Sequence, residues 1–144
     1  MKQNNISFHK KRVTIALSCY KADSYINGYI NCLKLQENID ELQLVVFDYP
    51  YSHTNPQQVK QAIHQLDQDT VSYVDRGTTK EDLYTAWNQI FSSASTDYIA
   101  NLNVDDRVSK DYFHLAVKTL DSLDLDVFST NAIALSIAGD LSTE

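Results

Sequence analysis

The feature that most constrains the fold of this chain is a regular alternation of short apolar runs with longer segments of helical periodicity. The apolar runs are rich in β-branched and aromatic residues, as buried strands are. They cover residues 12–18, 43–48, 70–74, 97–102 and 125–130, with a continuation of the last run towards residue 135. The pattern therefore predicts about five strands.

Four other segments have apolar residues three or four positions apart, which places them on one face of a helix. Their stripes are Ile26, Ile30 and Leu33; Val59, Ile63 and Leu66; Leu83, Ala86, Trp87 and Ile90; and Phe113, Ala116, Val117 and Leu120. Thr78 and Glu81 have the spacing of a capping box, which predicts the start of the third helix. The alternation predicts an α/β fold with a mostly parallel sheet and flanking helices, whose ligands bind at the carboxyl ends of the strands.

The length of the chain, 144 residues, is that of one domain, and 43% of its residues are hydrophobic. No segment has the glycine, serine or proline density of a linker between domains. One globular domain is therefore predicted over residues 12–136, with a flexible arm at residues 1–11 and a tail at residues 137–144.

The charge of the chain argues against several classes of partner. The formal net charge is -7, without the basic excess of proteins that bind nucleic acid or anionic membranes. An anionic ligand must then be held locally, by a bound cation or by backbone amides. No apolar stretch has the length of a transmembrane segment, and Cys19 and Cys32 lack the spacing of zinc or redox sites. A cytoplasmic protein is predicted.

Polar residues concentrate where the predicted strands end. They are Ser18 and Tyr20 after the first strand, Asp48 after the second, Arg76 after the third, and Asn103, Asp105 and Asp106 after the fourth. Two carboxylates beside an amide oxygen supply hard ligands for Mg²⁺ or Mn²⁺, which also bind substrate phosphates. The same two acids also suit an ordinary turn before a helix, and spacing alone leaves both interpretations open. Arg76 could likewise bind a phosphate or pair with Asp75 and Glu81.

Residues 12–135 resemble the family 2 glycosyltransferases, which have the glycosyltransferase-A fold. RVTIALSCYKADSYI is similar to the opening strand and helix of the family, and LQLVVFDYPYS to its second strand and nucleotide-binding turn. LYTAWNQIFSSASTDYIANLNVDDR is similar to its central signature. There Asn88, Tyr98-Ile99 and Asn103-Val104-Asp105-Asp106 match in order and spacing, with Asn103 in place of the first acid of an Asp-x-Asp-Asp pattern.

The resemblance implies a Rossmann-like fold that binds a nucleoside-diphosphate sugar. Ser18 and Tyr20 would line the nucleobase pocket, and Asp48 would hold the base or the ribose. Asp105, with Asn103, would bind Mn²⁺ or Mg²⁺, and Asn103 could also hold a ribose hydroxyl. Asp106 would support the site or face the sugar.

The resemblance also implies sugar transfer to a hydroxyl acceptor, on a glycan or a lipid-linked molecule. Family members take their catalytic base from a second half beyond the fifth strand, and no matching motif precedes Glu144. A truncated, nucleotide-sugar-binding half is therefore expected, with Asp106 as the remaining catalytic candidate. The alternative is a noncatalytic or fragmentary module that binds a nucleotide, or a partner chain that supplies the acceptor half.

Two other enzyme classes fit the sequence less well. A phosphatase of the haloacid-dehalogenase type needs a carboxylate nucleophile at the position of Asn103. A dinucleotide oxidoreductase needs the G-x-G-x-x-G pattern, which a chain with three glycines at positions 28, 77 and 139 cannot form.

Overall fold

The computed structural model describes residues 10–132 and four further residues that form two short strands near the end of the chain. The chain divides into two compact units, Met1–His114 and Leu115–Glu144. The described residues leave out residues 1–9 of the predicted arm. They also leave out most of the predicted tail, residues 137–144. No helix in the described part of the chain is long and apolar enough to span a bilayer.

The first unit is built on one parallel sheet. Its strands are β1 (Val13–Cys19), β2 (Leu42–Asp48), β3 (Val71–Asp75) and β4 (Tyr98–Asn101). They lie in the order β3-β2-β1-β4, and every neighbouring pair is parallel. The predicted α/β class and the first four strands are confirmed.

The register of the sheet places the strand ends together. Cys19 of β1 is aligned with Asp48 of β2, and Asp48 is aligned with Asp75 of β3. On the other side of β1, Ala16 is aligned with Asn101, the last residue of β4. The segments that follow the four strands therefore leave the sheet at the same edge, where a ligand site is expected.

Burial is deepest in the central strand. Every residue of β1 except Ser18 is buried, and β2 is buried at alternate positions and throughout its last three residues. A strand covered on both faces is the usual state of a parallel sheet, which explains the continuous apolar run in the sequence. Ser18 is therefore the one residue of β1 that is only partly buried.

In the described part of the chain, four α-helices connect or follow the strands. They are α1 (Ile26–Lys34), α2 (Gln58–Ile63), α3 (Leu83–Ser93) and α4 (Tyr112–Leu123). In α1 the buried residues include the predicted stripe of Ile26, Ile30 and Leu33. Helix α1 contacts α2, and α3 lies against β1.

The fifth predicted strand is wrong. Residues 125–130 form no strand, and Leu125 and Val127 are 44% and 79% exposed. An apolar, β-branched run becomes a strand only when a neighbour pairs with it, and this run has no ladder partner in the described residues. Strands β5 (Ala134–Leu135) and β6 (Leu141–Ser142) instead form a separate antiparallel pair. The parallel sheet thus has four strands.

The predicted capping box at the start of α3 is also wrong. The N-cap is Asp82, whose Oδ1 accepts the Thr85 N–H at 2.8 Å. Thr78 lies in the preceding turn, where Gly77 has φ +54°, and the Glu81 carboxylate is engaged by other side chains. Spacing alone could not show that tertiary partners would occupy Glu81.

Candidate functional site

A cavity of about 460 Å³ opens at the carboxyl edge of the sheet. Four of the residues predicted from the sequence line it, namely Ser18, Tyr20, Asn103 and Asp105. The other lining residues are Lys21, Tyr25, Tyr49, Glu81, Leu83 and Val104. The end of β1 and the turn after β4 thus meet around one space, as the strand-end argument predicted.

The turn after β4 folds back on itself. The Asn103 N–H donates to Asp106 Oδ2 at 3.0 Å, and the Asp106 N–H donates to the Asn103 carbonyl at 3.0 Å. The Asp106 carboxylate is therefore used within the turn, and Asp106 is not among the residues that line the cavity. Of the two adjacent acids, Asp105 is the one that faces the cavity.

Arg107 fixes this turn to the start of α1. Its guanidinium donates to the carbonyls of Val104 at 2.9 Å, Asp106 at 2.7 Å and Tyr25 at 3.0 Å. The guanidinium lies close against α1, because a Cβ built on Gly28 would be 2.5 Å from Arg107 Nη2. Because Gly28 has no side chain, the Arg107 guanidinium can approach α1 and anchor the turn that carries Asp105.

The chain after Arg107 continues along α1. The Val108 N–H donates to Cys32 Sγ at 3.4 Å, and Gln36 Nε2 donates to the Ser109 carbonyl at 2.8 Å. These contacts extend the attachment of the turn beyond a single side chain. A turn held by backbone-directed hydrogen bonds of this kind keeps its position without a ligand.

Asp48 lies beneath the cavity rather than in it. Its side chain is fully buried, with Oδ1 at 2.7 Å from His53 Nε2 and Oδ2 accepting the Tyr73 hydroxyl at 2.7 Å. The Ala22 N–H donates to His53 Nδ1 at 3.3 Å, so Nε2 carries the proton and donates to Asp48. Both carboxylate oxygens are thus occupied inside the protein, and the structure does not bring Asp48 to the cavity surface.

The buried carboxylate changes its neighbours. Burial, followed by the hydrogen bond to Asp48, raises the pKa of Tyr73. Burial, followed by the nearby charge of Asp48, raises the pKa of Cys19, which therefore stays a neutral thiol. The side chains of His53, Tyr73 and Asp48 therefore form a polar cluster at the end of β2, centred on the buried Asp48 carboxylate.

A second polar cluster joins the cavity wall to the end of β3. Glu81 Oε1 accepts from the Tyr49 hydroxyl at 2.6 Å and from Arg76 Nε at 3.0 Å. Glu81 Oε2 accepts from Arg76 Nη2 at 3.1 Å and from Gln89 Nε2 at 3.0 Å. The Arg76 guanidinium also lies 4.6 Å from the centre of the Phe47 ring. Of the two interpretations of Arg76, the ion pair with Glu81 is the one present in the structure. Arg76 is not among the residues that line the cavity.

The same contacts set the protonation of the cluster. Burial alone would raise the pKa of Glu81, but the hydrogen bond from Tyr49 and the charge of Arg76 outweigh it and lower that pKa. Burial and then the bond to Glu81 raise the pKa of Tyr49. Glu81 is therefore an ionised acceptor at neutral pH, and Tyr49 is a neutral donor to it.

The sequence argument missed several cavity residues for different reasons. Lys21 and Tyr49 each directly follow a predicted site residue in the sequence. The expectation that ligands bind at strand ends, which identified Tyr20 and Asp48, would have identified these two residues as well. Glu81 is not at the end of a strand, and its spacing from Thr78 predicts a helix-capping residue instead of a site residue. His53, which lies outside the cavity and contacts Asp48, has no spacing that distinguishes it from a surface histidine.

The donor groups at the cavity fit a divalent cation that is shared with a substrate. The described residues contain no group of three or more His, Cys, Asp and Glu side chains that could hold a metal by themselves. Asp105 has a carboxylate and Asn103 an amide oxygen, both hard donors, and both residues line the cavity. Mg²⁺ and similar ions are commonly bound by one or two carboxylates together with substrate phosphates, so this set fits such a site.

Solved structures with a similar fold include a mannosyltransferase. The mannosyltransferase PcManGT from Pyrobaculum calidifontis, in complex with GDP-Man and Mn2+, matches with a TM-score of 0.66 and 22% identity, over 78% of this chain and 33% of that chain. S. aureus TarS 1-349 matches with a TM-score of 0.62 and 19% identity, over 77% of this chain and 32% of that chain. Its complex with UDP matches with a TM-score of 0.60 at the same identity and coverage.

These likenesses show the glycosyltransferase-A fold. The chain spans about a third of the length of the solved structures that it matches. No curated protein matches the sequence significantly. The model of the glycosyl transferase family 2 matches residues 14–140, most of the chain, and the chain therefore belongs to that family.

Proposed function

We propose that this chain binds a nucleoside-diphosphate sugar in the cavity through a divalent cation, as the donor-binding part of a transferase that passes the sugar to a hydroxyl acceptor. The observation that carries the proposal is that Asp105 and Asn103 line the same cavity as Ser18 and Tyr20. The cavity lining thus combines oxygen donors that suit a cation and phosphates with an aromatic ring and a hydroxyl. Membership of the family supports the reaction class.

Asp105 and Asn103 are the residues that would hold Mn²⁺ or Mg²⁺. In an acidic protein with a net charge of -7, a diphosphate near Asp105 is repelled unless a cation lies between them. When bound, such an ion offsets the negative charge that develops on the departing diphosphate. The Mn²⁺ complex of the similar mannosyltransferase is consistent with this role.

Ser18 and Tyr20 would contact the nucleobase. Tyr20 is 52% exposed, and its ring contacts the Tyr51 ring edge-on at 6.3 Å between centroids. A ring fixed by a neighbour and still exposed is a stacking surface for a base. Asp48 and Arg76 would act indirectly, because Asp48 supports the turn after β1 through His53, and Arg76 orients Glu81 and Tyr49.

A specific observation favours a second candidate, a nucleotide-binding module without transferase activity of its own. Transfer to a hydroxyl requires a base that takes its proton. Among the described cavity residues the carboxylates are Asp105, assigned to the cation, and Glu81, which accepts four hydrogen bonds. Asp106 would first have to release the Asn103 N–H. On this second proposal, a partner chain supplies the base and the acceptor site.

Calorimetric titration of the 144-residue chain with UDP, GDP, CDP and dTDP tests the binding proposal. We expect at least one diphosphate to bind in Mn²⁺ and to bind far more weakly in EDTA. Equal binding in both conditions would exclude the cation site, and no binding in either would exclude the nucleotide site. A glycosyl-transfer assay with the preferred donor and simple sugar acceptors separates the two candidates, since the module binds the donor without turning it over.

A further inference from the structure

We propose that Lys21 is a direct, metal-independent contact for the diphosphate of the donor, and that Ser52 and the buried His53–Asp48 pair hold Lys21 in place for it. The inference rests on the proposed nucleotide site and adds to it a residue that the cation hypothesis does not require. It also gives a role to His53 and Ser52, which lie outside the cavity.

The first argument is position. Lys21 follows β1 by two residues and lines the cavity together with Asn103 and Asp105. Among the described residues of the cavity wall, Lys21 is the only one with a positive charge. Its ammonium lies 5.4 Å from the centre of the Tyr20 ring, which lines the same cavity. The ammonium thus lies near an aromatic ring of a cavity that Asn103 and Asp105 also line.

The second argument is the balance of charge. The carboxylate of Glu81 is matched by Arg76, with 2.9 Å between Glu81 Oε1 and Arg76 Nη2. Each phosphate of a diphosphate bridge carries a negative charge, and Asp105 adds another. A single divalent cation offsets two of these three charges, so one negative charge remains. Lys21 supplies the missing positive charge.

The third argument is the backbone. Lys21 has φ 49°, in the left-handed region that residues with a long side chain seldom adopt. Two consecutive amides of this turn are held by side chains, since Lys21 N–H donates to Ser52 Oγ at 2.9 Å and Ala22 N–H to His53 Nδ1 at 3.3 Å.

The holding groups are themselves fixed. The Ser52 hydroxyl donates to the Tyr49 carbonyl at 2.8 Å, and His53 Nε2 lies 2.7 Å from Asp48 Oδ1 with both side chains fully buried. A strained residue persists only where its surroundings fix it, and such residues concentrate at ligand sites. The buried pair therefore acts as a support for Lys21, and Ser52 and His53 are positioning residues.

The test compares nucleoside diphosphates with the matching nucleosides, in Mn²⁺, by calorimetry on the whole chain. Lys21→Asn removes the charge but keeps the turn, because asparagine adopts the left-handed conformation more readily than lysine. We expect Lys21→Asn to weaken diphosphate binding by about tenfold, the usual loss for one charge-assisted contact, and to leave nucleoside binding unchanged. Lys21→Arg should retain most of the affinity. Lys60→Gln, which removes an exposed charge on α2, is the matched control and should have no effect.

The positioning role is tested by a double-mutant cycle. Ser52→Ala should weaken diphosphate binding a few-fold in the wild-type background and have no effect in the Lys21→Asn background, because on this proposal Ser52 acts on the ligand through Lys21. His53→Gln should behave in the same way where it folds. Additive losses would overturn the positioning role.

The remaining outcomes separate this proposal from the nucleotide site itself. If the wild type binds a diphosphate and Lys21→Asn binds it equally well, Lys21 is not a contact and the nucleotide site stands. If Lys21→Asn weakens nucleosides and diphosphates alike, the residue shapes the base pocket and the phosphate contact is excluded. If the wild type binds none of the four diphosphates, the nucleotide site and the Lys21 contact are both wrong.

Discussion

The carboxylate of Asp48 lies 2.7 Å from His53 Nε2, and neither side chain is exposed to solvent. A carboxylate at the end of a parallel strand is a common ligand contact, yet here both of its oxygens are occupied by His53 and Tyr73. The pair joins the end of β2 to the turn after β1, because His53 Nδ1 accepts the Ala22 N–H. The turn after β1 is thus supported by a buried carboxylate that does not line the cavity.

Loss of His53 should be more costly to stability than loss of Tyr73. His53→Ala removes the imidazole that donates to the buried Asp48 carboxylate and accepts the Ala22 N–H, so two buried polar groups lose a partner, at about 1–3 kcal/mol each. Tyr73→Phe removes one hydrogen bond to a charged group, worth about 1.5–3 kcal/mol. Urea unfolding of the two variants and the wild type measures both differences. A smaller loss for His53→Ala than for Tyr73→Phe would contradict the inference that His53 holds both Asp48 and the Ala22 N–H.

The parts of the fold that the sequence predicts are those that depend on local pattern. The apolar runs of β1 and β2 are long and β-branched, and the turn from Asn103 to Asp106 follows a strand directly, so both are visible in the sequence. Residues 125–130 have a similar local pattern but no pairing strand. Local preference cannot show whether a partner exists.

Buried partners are the other limit on sequence prediction. The polar character of Asp48 predicts a ligand contact, whereas Tyr73, which binds it from inside, is 25 residues away. Glu81 has the spacing of a capping residue, whereas its partner Tyr49 is 32 residues away. A side chain at a strand end can face a ligand or the interior, and only the packing of the sheet decides which.

The Glu81 cluster should make stability depend on pH in the acid range. The pKa of Glu81 is lowered in the folded chain, so its ionised form stabilises the fold above the unfolded carboxyl pKa of about 4.3. That contribution should be complete above about pH 5 and should be lost as pH falls through the lowered folded pKa. Glu81→Gln removes it, so the difference in unfolding free energy between wild type and variant should be largest near neutral pH and shrink on acidification.

Urea unfolding at several pH values measures this difference. Glu37→Gln, at an exposed glutamate outside the cavity, is the matched control and should show no comparable change with pH. A wild-type advantage over Glu81→Gln that stays constant down to pH 3 would show that the cluster does not stabilise the ionised form.

Asp105 should carry the cation dependence of nucleotide binding. Asp105→Ala removes the carboxylate that lines the cavity and should abolish the Mn²⁺-dependent part of the affinity. Asp105→Asn should retain less of that part than the wild type, because a neutral amide oxygen is a weaker ligand than a carboxylate. Calorimetric titrations with and without EDTA measure both effects. Asp126→Ala removes an exposed carboxylate outside the cavity and should bind like the wild type.

Gly28→Ala should separate stability from binding. Alanine inside α1 gains about 0.5–1 kcal/mol of helix stability over glycine, but its Cβ would lie 2.5 Å from Arg107 Nη2 and must displace the guanidinium. Arg107 is the flexible partner, so the helix keeps its place while the hydrogen bond from Nη2 to the Tyr25 carbonyl is lost and those from Nη1 to Val104 and Asp106 are weakened. We expect the free energy of unfolding to change by less than about 1 kcal/mol.

The same substitution should weaken Mn²⁺-dependent nucleotide binding several-fold, since the turn that carries Asp105 loses its anchor. Calorimetry and urea unfolding on one preparation measure both quantities. Arg107→Lys is the companion variant, because lysine keeps the charge but cannot bind three carbonyls in the plane of a guanidinium. It should reduce binding to a similar extent in the presence of Gly28. Wild-type affinity in both variants would show that the turn holds Asp105 in position through its own hydrogen bonds, without Arg107.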